Sequence, residues 1–66
     1  MIHIYADSAW YDGHYGCCRV TAYDYETGEV IRVIECEHKD AEPGELLNKT
    51  VEQLSKEMLA EGYKIL

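Results

Sequence analysis

The sequence predicts an α+β fold: a three-stranded antiparallel meander, one amphipathic helix and a short C-terminal strand, in the order β-β-β-α-β. Apolar and polar residues alternate over three segments, which is the period of a strand with one buried face. A fourth segment carries apolar residues at helical spacing instead. The 66 residues show no linker or internal repeat, so we expect residues 1–66 to form one small domain.

Three segments are predicted to be strands. In the first, isoleucines and an alanine alternate with polar residues from Ile2 to Asp7. Residues 10–16 contain Asp-Gly and a second glycine and read as a loop or hairpin turn. Alternation resumes in residues 17–25, and Gly28 then suits a tight turn before the third strand, residues 30–37.

The predicted helix follows Pro43, a residue that fits the first helical turn because it has no N–H to leave unpaired. Gly62 is placed to end this helix in a left-handed conformation, and residues 63–66 are predicted to form a short strand. The apolar stripe of the helix consists of Leu47, Val51, Leu54 and Met58, with Leu46 and Leu59 alongside.

Negative charge is concentrated in the middle of the chain. The formal net charge is -7, and residues 24–45 hold eight acids against Arg32 and Lys39. Such a balance repels phosphate backbones, so we expect no direct binding of nucleic acid. The eight acids are Asp24, Glu26, Glu29, Glu35, Glu37, Asp40, Glu42 and Glu45.

Cysteine usage and hydropathy bear on location. The three cysteines are odd in number and two of them, Cys17 and Cys18, are adjacent, which favours a reducing compartment over a disulfide framework. No apolar run approaches the ~20 residues that span a bilayer. We therefore expect a cytoplasmic protein without a membrane partner.

Four residues could be considered as zinc ligands: His14, Cys17, Cys36 and His38. Their spacing matches no known ligand pattern, and a cysteine is often simply a small buried apolar residue. Neither serine lies in a nucleophile elbow. We therefore expect no metal, no cofactor and no catalytic residue, although a reactive thiol stays open.

The segment Ile4-Tyr5-Ala6-Asp7-Ser8 resembles the first strand of ribonuclease H-like proteins, and the order of elements is similar to the N-terminal half of that family. The resemblance implies that Asp7 and Glu45 correspond to metal-binding carboxylates. The family's later carboxylate has no counterpart here, so the resemblance implies a minimal metal- or nucleic-acid-binding domain without catalysis. The alternative is that Asp7 is a turn residue and Glu45 a first-turn acid that the helix dipole favours.

The preferred hypothesis is a small acidic protein-binding module. In size and charge it resembles the inhibitors and nucleic-acid mimics of phages and mobile elements, which occupy a basic surface of a nucleic-acid-binding host protein. One helix covers one face of a sheet, so we expect the other face to be a tyrosine-rich interface with a protein or with a second copy in a homodimer. The tyrosines could instead pack on their own sheet. The predicted binding residues are Tyr5, Tyr23, Tyr25, Asp24, Glu26, Glu29, Glu35, Glu37, Asp40 and Glu42.

Overall fold

The computed structural model describes all 66 residues, which form a three-stranded antiparallel sheet with one helix on one face. The elements are β1 (Ile2–Asp12), β2 (Tyr15–Asp24), β3 (Val30–Lys39) and α1 (Pro43–Ala60). The strands lie in the order β1-β2-β3, so β2 is central. The predicted antiparallel meander followed by one helix is confirmed.

The first hairpin is longer than the sequence predicts. Residues 10–16 were expected to form a loop, but β1 continues to Asp12 and β2 begins at Tyr15, which leaves a two-residue connection in which Gly13 has φ 60°. A bulge at Asp7 explains the difference: Ala6 pairs with Val20, whereas Ser8 pairs with Arg19. The extra residue shifts the alternation of buried and exposed side chains by one position, so the second half of β1 does not continue the pattern of the first half.

The turn between β2 and β3 has the conformation that its glycine predicts. Gly28 adopts φ 77°, and its N–H donates to the carbonyl of Asp24 at 2.8 Å. The Asp24 carboxylate also accepts hydrogen bonds from the N–H groups of Glu26 and Thr27, at 2.8 and 3.1 Å. Asp24 therefore closes this turn with its side chain.

Both ends of α1 are capped. The Glu42 carboxylate accepts from the N–H groups of Gly44 and Glu45 at 3.1 and 2.7 Å, next to Pro43 in the first turn. At the other end Gly62 adopts φ 97°, and the N–H of Tyr63 donates to Met58 across the left-handed residue at 3.1 Å. This is the C-terminal motif that Gly62 predicts.

The core lies between α1 and the two strands β1 and β2. Leu54 and Met58 are fully buried against Val20 and Ala22, together with Ile2. Thr50, which the sequence analysis did not place in the core, is also buried and donates its hydroxyl to the Leu46 carbonyl at 2.8 Å. In contrast, Leu59 is 56% exposed and lies outside the stripe.

The predicted C-terminal strand is not seen. A single parallel bridge joins Ile65 to Ile2, with hydrogen bonds from the Ile2 N–H to the Lys64 carbonyl and from the Leu66 N–H to the Ile2 carbonyl, both 2.8 Å. The residues after Gly62 therefore make one bridge beside the start of β1 rather than a ladder.

The helix divides the sheet into two unlike faces. α1 packs on β1 and β2 and barely contacts β3. At its C-terminal end the guanidinium of Arg32, on β3, makes two hydrogen bonds to Glu61, at 2.9 and 2.7 Å. These bonds and the negative charges of Glu61 and Glu57 raise the pKa of Arg32, while the same bonds and the positive charge of Arg32 lower the pKa of Glu61. We call the side that α1 covers the helix face and the opposite side the outer face.

Gly16 lets the connection between β3 and α1 pass close to the start of β2. A Cβ placed on Gly16 would clash with the Ala41 carbonyl oxygen and lie 2.8 Å from its carbon, both backbone atoms. We expect Gly16→Ala to destabilise the fold by about 1–3 kcal/mol, because backbone must move to admit the methyl group. Thermal unfolding should show a Tm lower by several degrees.

Gly44→Ala is the matched control for that substitution. The atoms nearest to a Cβ there belong to the Glu42 side chain, at 3.2 Å, rather than to backbone, and alanine is a good helix former. Equal melting temperatures for the two variants would contradict the proposed role of Gly16.

Candidate outer-face binding surface

The outer face is defined by strand alternation. Cys18, Val20 and Ala22 are buried on the helix face, so the residues between them in β2 point the other way, and their cross-strand partners in β1 and β3 share that direction. The outer face comprises His3, Tyr5, Asp7, Ser8, Trp10, Asp12, Tyr15, Cys17, Arg19, Thr21, Tyr23, Val30, Val33, Glu35, Glu37 and Lys39.

An aromatic cluster occupies one end of the outer face. The Tyr23 hydroxyl shares a 2.6 Å hydrogen bond with His3 Nδ1, and the two rings meet edge to face with centroids 5.1 Å apart. Tyr5 and Tyr25 flank His3 with centroids 6.4 Å from it. Tyr23 is half-buried by these contacts, whereas Tyr5 and Tyr25 are 49% and 58% exposed. Tyr23 thus stabilises its own sheet, and the exposed area belongs to Tyr5 and Tyr25.

The opposite end of the outer face is acidic around a tryptophan. Trp10 pairs with Cys17, and together with Glu35 and Glu37 they line a shallow cleft. Burial, followed by the negative charges of Glu37 and Asp12, raises the pKa of the Cys17 thiol. A raised pKa keeps the sulfur protonated and a poor nucleophile, which argues against the reactive thiol.

The eight acids of residues 24–45 are distributed over β3, the segments on either side of it and the first turn of α1, and two of them lie in β3 itself. Glu26 and Glu29 lie exposed in the turn before it, and Asp40 lies exposed directly after it, with φ 59°. Glu35 and Glu37 point from β3 onto the outer face. Arg19 reaches Glu35 with Nε at 3.1 Å and Nη2 at 2.8 Å.

Two of the predicted binding residues also have structural roles. Asp24 closes the turn and Glu42 caps α1 through the contacts described above. A carboxylate occupied by backbone N–H groups has fewer lone pairs to offer a partner. The other acids of the predicted set have exposed side chains and no capping role: Glu26, Glu29, Glu35, Glu37 and Asp40.

The sheet separates Asp7 from Glu45. The Thr21 hydroxyl donates to the Asp7 carboxylate on the outer face, while Glu45 lies exposed in the first turn of α1 on the other side. No group of three or more His, Cys, Asp or Glu side chains is arranged to hold a metal ion. The ribonuclease H-like resemblance stays a prediction, but these two carboxylates do not share a site in this fold.

The four residues considered for zinc are also divided between faces. Cys17 points to the outer face, whereas Cys36 pairs with Cys18 on the helix face. Cys18 is buried, and its thiol donates to the Thr50 hydroxyl at 3.5 Å. A tetrahedral site needs its ligands on one side of the backbone.

Trp10 and Tyr15 were not predicted as outer-face residues, because residues 10–16 were expected to form a loop. Both are exposed, at 38% and 42%. The available signal was the alternation of Ala9 and Tyr11 with Ser8 and Trp10, which is out of phase with the first half of β1.

Comparison with family models, with curated proteins and with solved structures gives no match to this chain. The helix α1 does not combine the length and apolar character that crossing a membrane requires.

The Asp24 carboxylate gives stability a defined pH dependence. Hydrogen bonds from the N–H groups of Thr27 and then Glu26 lower its pKa in the folded state. Its contribution is therefore present above the ordinary carboxyl pKa of about 4 and is lost as pH falls through the lower folded-state value. Asp24→Ala should lower Tm at pH 7, and the difference from wild type should shrink at pH 3.

Glu26→Ala is the control for the Asp24 variant, because it removes an exposed acid from the same turn without removing a cap. It should leave Tm nearly unchanged. A Tm difference for Asp24→Ala that is the same at pH 7 and pH 3 would show that the carboxylate is not the origin of the effect.

A strong chelator should leave the melting temperature unchanged, because Cys17 and Cys36 point to opposite faces and cannot bind one ion without breaking the β2–β3 pairing. Native mass spectrometry of the purified protein should show no stoichiometric zinc. Loss of several degrees on chelation, restored by added zinc, would contradict this expectation.

Proposed function

We propose that the chain is a protein-binding module whose outer face contacts a protein with a basic surface. The observation that carries the proposal is the exposure of large apolar side chains on a sheet face that no element of the chain covers. Tyr5, Trp10, Tyr15 and Val33 are 38–50% exposed there, and Val30 is 57% exposed at its border.

The composition of this face suits an interface. Tyrosine and tryptophan bury a large ring while keeping a polar atom available for hydrogen bonding, and they are enriched in interface cores. Val33 adds an aliphatic side chain between the aromatic end and the acidic end of the same face. A partner could therefore bury apolar area at one end and satisfy charges at the other.

Charge favours a basic partner over a second copy. Each chain carries a net charge of -7, so self-association through a face that includes Glu35 and Glu37 would bring like charges together. A basic protein would instead be attracted, and its association would be faster at low salt. The homodimer is therefore the competing outcome in the experiment below.

We extend the proposal to a nucleic-acid mimic: an inhibitor that occupies a basic, nucleic-acid-binding surface of its partner. The support is that exposed acids lie on β3 and in the connections at both of its ends. A row of negative charges is what a phosphate-binding groove attracts. On this proposal, the partner loses its nucleic acid when it binds the chain.

A photo-crosslinker tests the outer face directly. Tyr5 would be replaced by benzoylphenylalanine, and Gln53, exposed on the far side of α1, would carry the same group as a control. We expect irradiation in an extract of the source organism to give a discrete heterologous adduct from position 5 that salt suppresses, and none from position 53.

The purified partner then allows a quantitative comparison. Val33→Lys should weaken binding at least tenfold, because it places an unpaired cation in the apolar part of the face, whereas Gln53→Lys should change affinity less than twofold. An unchanged affinity for Val33→Lys, or equal adducts from positions 5 and 53, would overturn the proposal. Light scattering that shows two chains per particle would identify the second copy as the occupant instead.

A further inference from the structure

β3 is an edge strand of ten residues, and one of its two edges has no neighbouring strand. β2 pairs with one side of β3, and no strand lies on the other side. Every second residue of such a strand directs its N–H and C=O away from the sheet, which makes an exposed edge a template for a further strand. The corresponding edge of β1 is partly occupied by the C-terminal bridge at Ile2.

The helix face beside this edge is only partly covered. α1 lies over β1 and β2, so Ile31 and Ile34 pack against the core yet stay half-exposed, and Cys36 is half-exposed as well. A strand added to β3 would therefore place every second side chain beside these apolar residues. Such positions favour valine, isoleucine or leucine.

The outer face beside the same edge is acidic. Glu35 and Glu37 lie two residues apart on β3 and point the same way, and Glu29 and Asp40 flank the two ends of the strand. β3 contains two cations: Arg32 points to the helix face and is bound by Glu61, whereas Lys39 lies on the outer face at the C-terminal end of the strand. Natural edge strands are often protected by lysine, and here Lys39 stands at the C-terminal end of the edge strand while Glu35 and Glu37 lie along it.

We infer that the free edge of β3 binds an extended segment in which basic and apolar residues alternate, adding it as a fourth strand. Its lysine or arginine side chains pair with Glu37 and with the Glu35 carboxylate oxygen that Arg19 leaves free, and its apolar side chains cover Ile34 on the helix face. Opposite charges across strands are favourable and like charges are not, so the edge selects against another copy of β3. This inference rests on the proposed function in requiring a basic protein partner, and it locates where that partner binds.

A synthetic peptide provides the test. The probe is an acetylated, fluorescein-labelled nonapeptide of alternating lysine and valine, titrated with the intact protein at low salt and followed by anisotropy. We expect saturable binding, at least tenfold weaker binding of a peptide with the same residues in blocks, and no binding of alternating glutamate and valine. N-methylation of the alternate amides that face β3 should abolish binding, because it removes the N–H donors of the strand pairing. N-methylation of the amides on the opposite edge of the peptide should leave binding unchanged.

Protein variants identify the binding edge. The double substitution Glu35→Gln and Glu37→Gln should weaken binding about tenfold, since two cross-strand charge pairs are lost. The double substitution Glu45→Gln and Glu52→Gln removes the same charge from α1 and should change affinity less than twofold. Amide hydrogen exchange on the wild type should show new protection at alternate residues of β3.

Three outcomes would overturn the inference: no binding, equal loss of affinity in the two double variants, or insensitivity to N-methylation of either edge. The last two would mean that the peptide is held by overall charge alone. A crosslink from position 5 would still support the proposed function in each case, so failure of the edge is distinguishable from failure of the outer face.

Discussion

The packing of α1 on β2 is the contact on which the rest of the structure depends. Leu54 and Met58 are fully buried, and they lie against the short side chains of Val20 and Ala22 in the central strand. Small residues in β2 let the helix approach closely, and Gly16 allows the chain to pass back over the end of that strand. A domain this small has little other apolar area to bury, so these few contacts supply much of its stability.

One helix is narrower than a sheet of three strands, so α1 cannot cover the whole of the helix face. Strands lie about 4.8 Å apart and a helix with its side chains is about 10 Å wide, so α1 covers roughly two strands. It rests on β1 and β2, which leaves the helix face of β3 and its free edge partly exposed, and the outer face is open because no element lies on that side. The same geometry that builds the core therefore sets where a partner has room to bind.

The acidic residues have two roles: some stabilise the fold through hydrogen bonds, and others contribute negative charge to the surface. Asp24 and Glu42 cap backbone N–H groups at either end of the β3 segment, and Glu61 holds Arg32. Glu35 and Glu37 cap no backbone group and project from β3 onto the outer face, where Glu35 pairs with Arg19 of β2. The many acids of residues 24–45 thus serve two roles, and composition alone does not show which acid serves which role.

The sequence by itself determined the order of three strands and a helix, the glycine turns at Gly28 and Gly62, and the stripe that buries Leu54 and Met58. These features are local, since they follow from side-chain period and backbone conformation within a few residues. Only the tertiary structure decided the extent of the first hairpin, because the bulge at Asp7 is defined by pairing with β2. It also decided that the C-terminal residues form one bridge and that the Tyr23 hydroxyl is hydrogen-bonded to His3. The tertiary structure likewise places Asp7 and Glu45 on opposite sides of the sheet. Each of these depends on which segments meet across the sheet, and a residue's neighbours along the chain do not contain that information.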